Sequence, residues 1–168
     1  MKSIVVVDKN WGIGKNNGLL FSLKKDMAFF RSQTLNKVVC MGKNTLLSFP
    51  NAKPLPKRVN IVLSTKDIFD GCIMVKSLDE LFEEIKKYPT DDIFFLGGAR
   101  FYETTLPFVD SVLVTKVDSD GGAEVFFKNL DADFDWELIS ESEAIEDNGY
   151  TIRFAEYRNK NKKIYGEK

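Results

Sequence analysis

The chain has 168 residues, 43% hydrophobic and 29% charged, which suits one soluble globular domain that needs no disulfide or metal staples. Lys and Arg number 24 against 25 Asp and Glu, a net charge of -1, so the total carries no bias toward nucleic acid or a membrane surface. There is no histidine, which excludes Ser-His-Asp and Cys-His catalysis, HExxH metal sites and Cys/His zinc fingers, and leaves acid–base work to carboxylates, Lys, Tyr, Cys or water.

The first apolar run, Ile4–Val7, predicts a buried strand; it is too short for a signal peptide and ends at Asp8. Residues 9–22 follow as a long loop, with Gly12, Gly14 and Gly18 among Asn10, Asn16 and Asn17. A loop of that length beside Leu19, Leu20 and Phe21 reads as a lid. Leu23, Met27, Phe30 and Thr34 mark one face of a helix over 24–34. Asp26 lies in its first turn. There an acid complements the helix dipole; alternatively, sharing a face with Phe30, it is a carboxylate among apolar groups that needs a ligand donor.

Val38–Met41 predicts the next strand, with Cys40 as a buried free thiol. Cys40 and Cys72 make no disulfide framework, which points to a reduced, cytoplasmic location, and no run approaches the ~20 apolar residues of a membrane span. Met41-Gly42-Lys43-Asn44-Thr45 ends that strand in a glycine, a cation and a hydroxyl. The full GxxxxGK[ST] pattern is absent, so an ATP-type P-loop is rejected and a cationic phosphate clamp is kept. Pro54-Leu55-Pro56-Lys57-Arg58 presents an arginine, either solvated or suited to a carboxylate. The strand Val59–Leu63 then runs into Ser64-Thr65-Lys66, which repeats the hydroxyl-and-cation pattern; two such ends fit one phosphate.

Ile73–Val75 predicts a strand, and Ser77 with Glu80 starts a helix marked by Leu78, Leu81, Phe82 and Ile85. Ile93–Leu96 runs into Gly97-Gly98 and then Ala99-Arg100-Phe101-Tyr102. Strand, glycines and helix start form either a dinucleotide cradle or a plain tight turn. Val112–Val117, Trp136–Ser140 and Tyr150–Tyr157 close the series, with Glu146-Asp147-Asn148-Gly149 as the turn of an antiparallel hairpin. Alternating strands and helices imply a single α/β domain over residues 1–157. Its mostly parallel central sheet has about eight strands, with flanking helices and a C-terminal antiparallel hairpin. Residues 158–168 read as a solvated basic tail.

Taken in order, these pieces resemble dihydrofolate reductase over about residues 3–157. The resemblance rests on Gly12-Ile13-Gly14, Leu23-Lys24-Lys25-Asp26 with Phe30 and Thr34, and Val39 to Thr45. It continues through Pro54 to Ser64 and Leu96 to Tyr102. It implies that fold and NADPH-dependent reduction of 7,8-dihydrofolate by hydride transfer to C6 and protonation at N5. Asp26 would bind the pterin's N3 and 2-amino edge, supported by Thr115, with Phe21 and Leu19 of the lid beside the reaction. Ile4, Val5 and Leu96 would line the pterin pocket, and the carbonyls of Ile4 and Leu96 would meet the 4-amino group of antifolate inhibitors. Met27, Phe30, Phe49 and Leu55 would pack on the pterin and aminobenzoyl rings. Arg58, with Arg31 nearby, would take the glutamate α-carboxylate.

The resemblance places NADPH across Val6, then Ile13, Gly14, Asn16, Asn17, Gly18 and Leu19 of the lid. It continues over Gly42, Lys43, Asn44 and Thr45, then Leu63, Ser64 and Thr65, and Lys76. The last stretch is Leu96, Gly97, Gly98, Ala99, Arg100, Phe101, Tyr102 and Thr104, with a cis Gly97–Gly98 bond. Lys43, Thr65 and Lys66 around a 2′-phosphate favour NADPH over NADH. The chain departs from the family pattern at Leu20-Phe21, where Pro-Trp is usual, and at Lys43-Asn44, where Arg with His or Ser is common. The implied partners are dihydrofolate and antifolates, with no nucleic acid or membrane and a monomer as the default. Three other readings are weighed: a reductase of the same fold acting on a ribityl pyrimidine of riboflavin synthesis, a non-catalytic nucleotide-binding module and a structural protein.

Overall fold

The computed structural model describes residues 1–16 and 18–167, so Asn17 and Lys168 lie outside the described residues. The first elements are β1 (Lys2–Val7), β2 (Gly12–Gly14), α1 (Lys24–Thr34), β3 (Val38–Gly42), α2 (Lys43–Leu47), β4 (Val59–Leu63) and β5 (Ile73–Val75). They are followed by α3 (Leu78–Ile85), β6 (Ile93–Phe95), α4 (Ala99–Thr105), β7 (Ser111–Val117), β8 (Val125–Phe126), β9 (Trp136–Glu141), β10 (Ile145–Asp147) and β11 (Tyr150–Asn159).

The main sheet runs β10-β11-β7-β1-β6-β3-β4-β5, with β9 also paired to β11. Every pairing from β7 to β5 is parallel, and β11 is antiparallel to β7. The expected α/β architecture therefore holds, because each parallel neighbour is reached by a crossover. The C-terminal hairpin differs in detail. The turn at Asn148-Gly149 joins β11 to the short β10, and β9 pairs farther along β11. Between β9 and β10, the Ser142 hydroxyl accepts the Phe154 N–H at 2.8 Å in place of a ladder bond.

Strand alternation divides the core. Val38 and Cys40 face one side with Val5, Ile61, Phe95 and Val114, covered by Leu81, Phe82 and Ile85 of α3 and Phe101 of α4. Val39 and Met41 face the other with Ile4, Val62, Leu96 and Leu113, where Phe29 and Phe30 of α1 pack. Cys40 is fully buried, and burial pushes its thiol up, which makes it an inert core residue.

Helix α1 has the span read from its periodicity. For α3, the Ser77 hydroxyl accepts the Glu80 N–H at 3.1 Å, while the Glu80 carboxylate takes the N–H of Lys76 rather than of Ser77. The tail read as solvated is docked. Lys162 pairs with Asp110 at 2.8 Å, and the Tyr165 ring lies 4.2 Å from Phe82 at 8° and meets Phe108 edge-on. An aromatic ring of that size gains more from the Phe82 face than from water. Among the described residues no helix is long and apolar enough to cross a membrane.

Candidate active site

The site is built where α1 crosses the carboxyl ends of the central strands. Asp26 is half-buried, and Thr115 on β7 donates its hydroxyl to Asp26 Oδ1 at 2.6 Å. Burial is the main influence holding the Asp26 carboxyl above the usual carboxylate range. The Thr115 bond opposes that rise, and the negative charge of Asp147 adds to it. The carbonyl oxygens of Ile4 and Leu96 converge on one point: the Tyr102 hydroxyl lies 2.6 Å from the first and 2.8 Å from the second. Burial and the nearby Asp26 charge keep Tyr102 protonated.

Beside Asp26 runs an apolar wall. Phe30, Phe49 and Leu55 are half-buried against Ile4, Leu46 and Leu96, while Met27 is exposed on the same helix. Val5 is buried in the opposite core. The far end of the wall is cationic. The Arg58 guanidinium lies 6.0 Å from the Phe30 ring, and it donates to the Thr34 hydroxyl at 3.2 Å and the Pro56 carbonyl at 2.9 Å. Burial, and then the nearby charge of Arg31, lower its proton affinity. Among the described residues Arg58 pairs with no carboxylate, which suits its planar fork to an anionic ligand.

On the other side three strand ends come together. The Gly42 N–H at the end of β3 donates to the Gly97 carbonyl after β6 at 2.8 Å, and Gly97–Gly98 is cis. Gly97 has φ +108, and a Cβ there would lie 2.7 Å from the Tyr102 ring, so only glycine fits. Thr45 lies against Gly98, and Ser64 and Thr65 continue from β4. Lys43, Asn44, Thr65 and Arg100 are exposed around this crevice. Hydroxyls, amides and cations at adjoining strand ends are the donor set that a dinucleotide's phosphates require, so these residues fit NADPH. Lys43 pairs with Asp67 at 2.6 Å, an acid the sequence reading did not single out.

The lid residues are gathered less tightly. Gly14 accepts the Glu124 N–H through its carbonyl and Asn16 donates to the Glu124 side chain, both at 2.8 Å, so β2 is tied to β8. Ile13 is half-buried, Gly18 is bridged to Lys15, and Leu19 is 82% exposed. Val6 and Phe21 share a small cluster with Leu23 and Tyr150, where Phe21 meets Tyr150 edge-on at 4.9 Å. The remaining residues expected at the cofactor are spread more widely. The Phe101 side chain lies in the core and Thr104 donates to the Arg100 carbonyl of its own helix, while Leu63 pairs with Gly42 where β3 and β4 end and Lys76 is exposed just after β5. Asn17, also expected at the cofactor, is outside the described residues.

Three groups besides Asp67 escaped the sequence reading. Buried Asp8 accepts N–H groups from Asn10, Gly12 and Gly121. Glu124 holds the lid, and Asp147 reaches the start of α1. The Asp8–Gly121, Glu124 and Asp147 bonds span long sequence separations, for which local pattern carries no signal.

The family model described as dihydrofolate reductase matches residues 1–159. The chain belongs to the dihydrofolate reductase family. It is an NADPH-dependent oxidoreductase, and the reading as a riboflavin-pathway reductase is set aside with the binding-module and structural ones. Dihydrofolate reductase of Bacillus subtilis is 33% identical over 162 residues, 94% of each chain. That of Haemophilus influenzae is 34% identical over 155 residues, covering 90% of this chain and 93% of the relative. That of Enterococcus faecium is 33% identical, covering 94% of this chain and 95% of the relative. This breadth takes in both the Asp26 wall and the three strand ends.

Proposed function

We propose that the chain reduces 7,8-dihydrofolate to 5,6,7,8-tetrahydrofolate, with Asp26 as the carboxylate that receives the pterin. The carrying observation is Asp26 itself, half-buried, hydrogen-bonded by Thr115 and one helical turn before Phe30 of the apolar wall. NADPH supplies the hydride that reaches C6. The rest falls to the chain.

Asp26 accepts the N3 and 2-amino edge and fixes the ring's orientation. The carbonyls of Ile4 and Leu96, already turned to one point, suit the 4-amino group of a diaminopyrimidine antifolate. Phe30, Phe49 and Leu55 flank the aminobenzoyl ring, and Arg31 with Arg58 receives the glutamate carboxylate. Asp26's raised proton affinity keeps a proton at its carboxyl nearer to neutrality than an exposed aspartate would. It polarises the ring while water delivers the proton to N5, and Leu20-Phe21 of the lid exclude bulk solvent. Lys43, paired with Asp67 here, would be the cation to hold the 2′-phosphate of the cofactor. A monomer in a reducing cytoplasm completes the reading, supported by the two unpaired cysteines.

The test is a spectrophotometric one. Mixing protein, NADPH and dihydrofolate should bleach the nicotinamide band, and methotrexate should stop the bleaching. A steady band with active-site-saturating dihydrofolate would sink the proposal.

A further inference from the structure

Asp147 ends β10 and is only 3% exposed. Its Oδ2 accepts the N–H of Lys25 at 2.9 Å and the N–H of Asp26 at 3.2 Å. These are amides of the first turn of α1, whose own N-cap, Leu23, offers no side-chain acceptor. The helix is therefore capped by a strand 121 residues away from Asp26 in sequence. The same turn clasps the helix entry twice more: Lys25 Nζ donates to the Glu146 carbonyl, and Asn148 Nδ2 donates to the Ser22 carbonyl at 2.9 Å. Among the described residues no cation pairs with Asp147, so the helix amides and dipole are what offset its charge.

Asp26 is thus gripped at both ends. Asp147 holds its main chain from β10, and Thr115 holds its carboxyl from β7. We propose that Asp147 is a positioning residue that sets the place and the charge of Asp26 from a remote strand. Three groups face the Asp26 carboxyl from other elements. The Thr115 hydroxyl on β7 favours the ionised form, and the Asp147 carboxylate on β10 opposes it. The Tyr102 hydroxyl on α4 is neutral and committed to the Ile4 and Leu96 carbonyls. Two carboxylates at one helix start cannot both be charged without cost, and the one with water and ligand access is Asp26.

The inference rests on the reading of Asp26 as the substrate's carboxylate. Its test uses the full chain and two variants. Asp147→Asn keeps an oxygen for both N–H groups and removes the charge. The Asp26 carboxyl, followed by NMR of aspartate-labelled protein, should titrate about half a pH unit or more lower than in the wild type. The pH profile of turnover should move the same way while KM for dihydrofolate stays near its wild-type value. Asp147→Ala, which removes the acceptor too, should raise that KM several-fold and lower the melting midpoint. An Asp26 midpoint unmoved in Asp147→Asn, or a wild-type KM in Asp147→Ala, would overturn the proposal. The NMR titration reads the coupling whether or not Asp26 touches substrate. Wild-type turnover in Asp26→Asn would therefore defeat the functional reading and leave the coupling standing.

Discussion

Asp26 concentrates the chemistry because its surroundings disagree about its charge. Burial disfavours the carboxylate, Thr115 favours it, and Asp147 disfavours it again. The direction has a stability consequence. A carboxyl whose folded proton affinity lies above its unfolded value contributes stability that is complete below the unfolded value. That contribution is lost as pH rises through the folded one. At neutral pH the charged form is therefore a burden. Asp26→Asn, whose amide oxygen still accepts from Thr115, should melt higher than the wild type near neutrality, with the gap closing in acid. Its turnover of dihydrofolate should fall by orders of magnitude while NADPH still binds. Equal melting at every pH, together with near-normal turnover, would remove Asp26 from the role given it. Local sequence left this residue between a helix-dipole acid and a site carboxylate. The resemblance named Thr115 as its partner, and only the fold shows Asp147, because no spacing rule links positions that far apart.

Among the elements, the legible ones show a helical period or an unbroken apolar run. The α1 face of Leu23, Met27, Phe30 and Thr34 gave its span, and the β-branched runs gave β1, β3 and β4. The equally short β5 and β6 stand out as unbroken apolar runs, whereas β2 and β10 set one apolar residue beside glycines or acids and β8 has only two residues; these three organise the lid and the helix entry. The β2–β8 pairing depends on a close approach at Gly12. A Cβ there would lie 2.3 Å from the Ala123 Cβ and 2.9 Å from both Asp8 carboxylate oxygens. Gly12→Ala should therefore push the lid from β8 and cost about 1–3 kcal/mol of stability. NADPH affinity should weaken several-fold, as read by fluorescence titration. Wild-type affinity and melting would show that the two strands tolerate separation.

At the scale of the whole molecule, the docked tail ties distant parts together. Tyr165 joins Phe82 and Asp79 of α3 to Phe108, and Lys162 reaches Asp110 just before β7. Composition showed the tail's charge but not this seat, because one aromatic among basic residues reads as solvated. Tyr165→Ala should lower the melting midpoint by a few degrees, measured by calorimetry, and leave dihydrofolate kinetics alone, since no site residue touches it. An unchanged melt would make the stack incidental. The strand order carries a consequence in time. β1 is the first strand to be made, yet it lies between β6 and β7 and pairs with β7 from Lys2↔Ser111 to Val7↔Lys116. A growing chain must carry β1 with both edges open until β6 has emerged, and with one edge open until β7 follows. The centre of this sheet thus waits on strands made long after it, and a nascent chain halted before β7 leaves an edge of β1 open to a stranger.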